Sequence, residues 1–302
     1  MAAANLSRFF QSSLNAAIFA WYPPRISRLY MRLLGQAYFR RKPEEKQCCL
    51  RALKLVLGAA KGGRGCDPDL EKRVLRGIFD HYFEKMLTAY WGFGKMRNFL
   101  LRQVQLSHAD LLDYSLAEGR GVILSTAHFG AVEFLPAALS FRGYPVTMVV
   151  RFQTPRLKRT LEGLARRANL ELLDMEDGGV IASACRCLRE GRIFITELDE
   201  MKLWKPTACK MMNFFGQRVP LDRGVELLSR RTGAPILLGL MERLGGLRYQ
   251  LVFEQPQEHL AAPTRLGPDA QLLKRLEHYI YDAPDHWYIW NELHHLEQFQ
   301  AA

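Results

Sequence analysis

The sequence predicts an α/β fold, a central mixed sheet flanked by helices, with a helical segment ahead of it. Three observations predict it. From Gly119 onward, short apolar, β-branched runs alternate with helical stretches; tight polar turns separate them; and the residues before Gly119 read as helical. The change of pattern divides the chain into an N-terminal helical segment, 1–118, packed on the core, and an α/β core, 119–302.

Ile26 to Phe39, Pro43 to Leu57 and Leu70 to Trp91 read as helices, with Gly58 to Pro68 (GAAKGGRGCDP) as an exposed loop. The strand GVILSTA precedes a helix over Ala131 to Phe141. YPVTMVVR is a strand, Pro155 to Ala168 a helix, LELLDM a strand, Val180 to Glu190 a helix and GRIFITELD a strand. A helix over Arg223 to Thr232, the strands APILLGLMER and RYQLVFEQP, and a helix over Pro268 to Tyr281 complete the series.

The 302 residues, 48% apolar and 24% charged, suffice for a folded core. No stretch reaches the roughly 18 to 20 uninterrupted apolar residues of a spanning helix, and no secretory leader pattern is present. Six cysteines (Cys48, Cys49, Cys66, Cys185, Cys187, Cys209) lack paired metal-ligand spacing or a disulfide framework. They read as free thiols of a reducing compartment, and no metal site is expected.

The net charge of +11 is unevenly placed. Residues 1 to 54 hold ten Lys/Arg against Glu44 and Glu45 alone. Such a segment suits nucleic acid, an anionic membrane surface or an acidic carrier. The chain has no zinc finger, helix-turn-helix or aromatic RNA-binding signature, so no nucleic-acid partner is expected. Arg25, Arg28 and Arg32 share one helical face, beside a stripe of Ile26, Leu29, Tyr30, Leu33 and Ala37. That pattern fits an interfacial helix on a membrane; it equally fits a surface helix docked on the protein's own core.

STAHFGAVEF places His128 and Glu133 five positions apart. On a continuous helix they would stand about 140° apart and never meet. Across a strand, a turn and a new helix they can. GVILST is the strand, AHFG its exit and AVEFLPAAL the helix, so His128 falls where α/β proteins place their ligand crevice. An imidazole fixed by a carboxylate is a general base able to activate a hydroxyl. A His and a Glu that merely cap a turn satisfy the same spacing.

Further segments accompany this one in order. They are VVR ending in Arg151, RANLELLD with Arg167, GRIFITELD ending in Asp199, Phe214-Phe215-Gly216 before a polar turn, and PDHWYIW near the C terminus. With His128-Phe129-Gly130 and Glu133, this series resembles the lipid A late acyltransferases (lauroyl or myristoyl transferases), within the wider lysophospholipid acyltransferase superfamily. The resemblance runs from about Gly119 to Trp290. Ala131-Val132 stand where Asn-Trp is common in that family, and NELHHLEQF follows Trp290 where basic residues are common.

The resemblance implies a glycerolipid-acyltransferase-like fold and an O-acyltransferase. It would move a fatty acyl group from an acyl-carrier-protein or acyl-CoA thioester to a hydroxyl of a membrane lipid, a lipid A precursor or related glycolipid. It implies His128 as base, Glu133 as its partner, Arg151 and Arg167 on phosphate and Asp199 at the acceptor. Phe214, Phe215 and Gly216 fit either an acyl tunnel or plain core. No cofactor or metal is implied beyond the acyl-ACP or acyl-CoA co-substrate. The expected place is the cytoplasmic face of the inner membrane, bound peripherally to anionic lipids. A glycerophospholipid acyltransferase of the lysophosphatidate type and a silent lipid-binding scaffold remain alternatives. An α/β-hydrolase is unsupported, since no G-x-S-x-G occurs.

Overall fold

Parallel strands buried on both faces need crossover helices between them, and the chain supplies both. The computed structural model describes residues 13–59, 66–152, 155–204, 211–256 and 267–299. Residues 60–65 of the expected loop, and Cys209, lie outside the described residues. The strands are β1 (Val104–Ser107), β2 (Val122–Thr126), β3 (Val146–Val150), β4 (Leu170–Asp174), β5 (Ile193–Glu197), β6 (Met211–Phe214), β7 (Gln217–Pro220), β8 (Ile236–Arg243) and β9 (Tyr249–Glu254). Seven form one mixed sheet in the order β1-β9-β8-β2-β5-β3-β4, and β6 and β7 form a separate antiparallel hairpin. Within the large sheet β8 and β9 pair antiparallel, and the other neighbours pair parallel.

β2 lies at its centre with all five residues buried, the apolar Val122–Leu124 as well as Ser125 and Thr126. Alternate residues face two hydrophobic clusters: Ile123 and Phe194 on one side, Val122, Leu124, Ile193 and Ile195 on the other. β1 departs from the helical reading of the first 119 residues. Its four residues are too few to show a period, and they become a strand by pairing with β9, Val104 opposite Tyr249.

Helices α1 (Ser13–Trp21), α2 (Pro24–Arg41), α3 (Pro43–Ala59) and α4 (Pro68–Tyr90) make up most of the N-terminal part, followed by α5 (Phe93–Gln103) and α6 (Ala109–Ala117). Among the strands lie α7 (Leu135–Ser140), α8 (Pro155–Ala165), α9 (Val180–Arg189), α10 (Gly224–Thr232) and α11 (Pro268–Asp282). Proline opens α2, α3 and α4, where its missing N–H costs nothing. The Asp67 carboxylate caps α4 by accepting from the Leu70 N–H at 2.6 Å. The three arginines that share one face of α2 meet different surroundings. Arg28 and Arg32 turn inward, each making a two-pronged bond to buried Asp80 at 2.8–3.0 Å, and Arg25 stays exposed. Burying one carboxylate without such partners would be costly, so Asp80 draws both guanidinium groups in.

Beyond β2 the chain turns sharply at Gly130, which has φ +59°. The Gly130 N–H donates to the His286 carbonyl at 2.8 Å, and the Ala131 N–H to the Met241 carbonyl at 3.0 Å. Arg243, bonded to buried Glu84, donates to the Gly130 carbonyl at 2.6 Å. A Cβ on Gly130 would sit 1.6 Å from the Met241 oxygen. Gly130→Ala should therefore destabilise the protein by at least about 2 kcal/mol, through φ strain and displacement of β8. Thermal melting checks it, and an unchanged Tm would contradict the tightness of this turn.

Candidate active site

β2 and β5 run parallel side by side, with Thr126 opposite Glu197. Two residues further along each strand's exit stand His128 and Asp199, so the register itself brings them together. The chain leaves β2 toward β3 on one side and β5 toward β8 on the other, which opens a crevice at the carboxyl ends of the strands.

Asp199 is fully buried. Its Oδ1 lies 2.9 Å from His128 Nδ1, the His128 backbone N–H reaches both carboxylate oxygens at 3.1 Å, and Trp287 Nε1–H donates to Oδ2 at 2.8 Å. Holding Nδ1 as the N–H tautomer leaves Nε2 as the lone-pair nitrogen whenever the ring is neutral. Nε2 lies 3.7 Å from Glu197 Oε2 and 3.8 Å from Glu200 Oε1, outside hydrogen-bond range of both. The segment around Trp287 closes the other side. Phe129 bridges to Trp287, and the Tyr288 N–H donates to the His128 carbonyl at 3.3 Å.

The expected bond between His128 and Glu133 is not formed. Val132–Phe134 is a 3-10 turn rather than the first turn of an α-helix, and α7 begins only after it. Glu133 consequently points toward α4, 3.5 Å from Lys85 Nζ and 3.7 Å from His81 Nε2. His81 in turn stacks on Tyr288, ring centres 3.5 Å apart and planes within 10°.

Charge follows from this arrangement. Burial disfavours the His128 imidazolium, but Glu197, Asp199 and Glu200 together outweigh it and push His128 up to about 10. Burial, reinforced by Asp199, Glu200 and Glu133, pushes Glu197 up to about 7 against the pull of His128. His81 is driven well below the usual range by burial and by the nearby cations Lys85 and Arg243. Lys85 is raised, chiefly by Glu133.

His128, Glu133, Lys85, Glu197 and Glu200 line a cavity of about 730 Å³, within the range of small-molecule sites. Away from the histidine its wall is apolar, with Val132, Phe141, Met148, Val150, Leu164 and Leu172. β3, β4 and α8 contribute Met148, Val150, Leu164 and Leu172 to that wall. Arg151, also on the wall, is exposed, with Nη2 3.1 Å from Met175 Sδ. Arg167 does not line the cavity itself; its guanidinium lies 4.4 Å over the ring of Phe93, which does.

Phe214 ends β6 and Phe215 and Gly216 turn the chain into β7; the two phenylalanines are buried in the core, Gly216 is exposed, and none of the three lines the cavity. Phe215, at φ +53°, packs 5.6 Å from Trp287 and so backs the residue that holds Asp199. Trp287 and Trp290 are fully buried in the core, whereas Tyr288 between them in sequence lines the cavity.

The site residues absent from the sequence reading had weak signals. Glu197 and Glu200 flank Asp199 in TELDE, and strand alternation aims Glu197 and Asp199 the same way. His81 and Lys85 are an i,i+4 pair on one face of α4. Although no metal-ligand spacing shows in the sequence, folding assembles His128, Glu197 and Glu200 with ligand atoms within 4.8 Å of one another. One imidazole and two carboxylates fit a divalent cation, which would occupy the Nε2 lone pair.

A family model described as bacterial lipid A biosynthesis acyltransferase matches residues 14–295. No individual curated protein matches the chain.

Removing one carboxylate beside Nε2 should weaken the hold on the imidazolium. Glu197→Gln should lower the His128 pKa by about one unit or more. Titration of the labelled imidazole by NMR checks this, and an unmoved midpoint would show that Glu197 does not govern the charge of His128.

Proposed function

As a member of the bacterial lipid A biosynthesis acyltransferase family, the chain is an acyltransferase, and we propose that it moves a fatty acyl group from a thioester to a hydroxyl of a membrane lipid. The carrying observation is the posture of His128. One nitrogen is fixed on buried Asp199, and the other stands at the charged end of a cavity whose far wall is apolar. A fatty acyl chain suits the apolar wall, and a reacting hydroxyl suits the nitrogen.

In this reading neutral His128 accepts the hydroxyl proton at Nε2 while the oxygen attacks the thioester carbonyl carbon. The tetrahedral intermediate collapses with loss of the C–S bond, and the imidazolium returns its proton to the departing thiolate. Atoms and charge balance without a covalent enzyme intermediate. Asp199 takes the orienting role that spacing alone gives to Glu133, because it holds Nδ1. Glu133 instead steadies Lys85 in the cavity wall, where that ammonium can meet a phosphate or the developing oxyanion. Arg151 supplies a second cation for phosphate. The donor is acyl-ACP or acyl-CoA, and the acceptor is a lipid A precursor or related glycolipid. The reaction takes place at the cytoplasmic face of the inner membrane. The family's work implies membrane association, and among the described residues no helix is long and apolar enough to cross a membrane.

Purified variants assayed with an acyl thioester and extracted lipid test the reading. His128→Ala should reduce transfer by about 10² to 10⁴-fold, the usual worth of a positioned base. Asp199→Asn should cost about 10²-fold in kcat, whereas Glu133→Gln should act mainly by raising KM. Near-normal transfer by His128→Ala would remove this site as the catalyst. If wild type is as inactive as the mutant with every donor tried, the silent-scaffold reading replaces it.

The raised His128 pKa also has a sign. Only the neutral imidazole can accept a proton, so kcat/KM should rise with pH through the His128 pKa. The rising limb should move to lower pH in Glu197→Gln. A profile flat from pH 7 to about 10 would contradict the base assignment.

A further inference from the structure

We infer that the outward face of α2 is an insertion surface for an anionic lipid bilayer. The docking surface lies outside the cavity and does not rest on the acyl-transfer reading. The rotation of α2 about its own axis is fixed from inside. Ser27, Met31 and Gly35 are buried, and Arg28 and Arg32 fork onto Asp80. A Cβ on Gly35 would lie 2.4 Å from the Phe79 ring, so α2 and α4 are pressed together along this seam.

With those residues held inward, helical geometry dictates what points out. Ile26, Leu29 and Leu33 are 51%, 59% and 54% exposed, and Ala37 continues their row. The corner before the helix carries Trp21, 84% exposed, and Tyr22. Interfacial helices that lie in the headgroup plane have an apolar row, aromatic residues at its end and flanking cations.

The charges name the occupant. Arg25 is exposed beside the row, and Arg40, Arg41 and Lys42 are exposed at its C-terminal end. A patch that is apolar along its length and cationic at its margins complements acyl chains beneath anionic headgroups. The same helix then supplies Tyr38 and Phe39 to the cavity wall, beyond Leu33.

Flotation with vesicles of phosphatidylglycerol and phosphatidylethanolamine, compared with phosphatidylcholine alone, tests the inference. Wild type should bind the anionic vesicles, and Leu29→Glu/Leu33→Glu should lose at least about tenfold in partitioning. Both positions are exposed, so Tm should hold. Trp21 fluorescence should be quenched by brominated lipid, an effect absent in Trp21→Phe. Equal binding by wild type and the double variant would overturn the inference. So would loss of a dimer in light scattering with vesicle binding intact, since a second copy would then cover the row. A lowered Tm with vesicle binding intact would likewise overturn it by assigning the row to contacts within the chain. Transfer to detergent-dispersed lipid, which needs no bilayer, should stay within about twofold of wild type. Absence of transfer in both proteins would count against acyl transfer and leave the vesicle result standing.

Discussion

The carboxylate of Asp199 is the point on which the site depends. It is fully buried and accepts from the His128 backbone, the His128 ring and the Trp287 indole. A carboxylate taken out of water must be satisfied in this way or lose its charge. Satisfying it joins three distant parts of the chain: the exit of β2, the exit of β5 and the segment after α11. The turn at Gly130, the bridge from Phe129 to Trp287 and the packing of Phe215 on Trp287 all serve to keep those three parts in place. The imidazole orientation is thus a consequence of tertiary structure and not of the local HFGAVE sequence.

In the proposed reaction the cavity combines two demands that oppose each other. A fatty acyl chain calls for an apolar wall, whereas proton transfer calls for charged groups that stay put in poor solvent. The fold brings both into one space. Apolar residues of β3, β4 and α8 line the same cavity as Glu197, Glu200 and the Glu133–Lys85 pair, which cluster near His128. The acidic surroundings make His128 a stronger base but one that is more often protonated, so the carboxylates set both the strength and the availability of the base.

Much of the architecture was legible in the sequence because it rests on patterns with a short period. The order of strands and helices after Gly119 and the place of His128 at a strand exit follow from runs of apolar residues and from Gly130. The partner of His128 was not legible. Spacing suggested Glu133, yet the choice turns on whether residues 132–134 form an α-turn or a 3-10 turn. It turns also on the register between β2 and β5, two strands far apart in the sequence. For Arg28 and Arg32 the sequence left two readings open for a related reason. Helical periodicity places them on one face but cannot reveal that Asp80, on another helix, pulls that face inward. Arg167 and Phe214 to Gly216 likewise occupy positions set by contacts with Phe93 and Trp287.

The central claim, that Asp199 and not Glu133 fixes the working form of His128, can be measured directly. Two-dimensional ¹⁵N NMR of the labelled imidazole, recorded above its pKa, distinguishes the two neutral tautomers. The wild-type protein should show the Nδ1–H tautomer, Glu133→Gln should keep it, and Asp199→Asn should lose it. Loss of that tautomer in Glu133→Gln with retention in Asp199→Asn would contradict the claim.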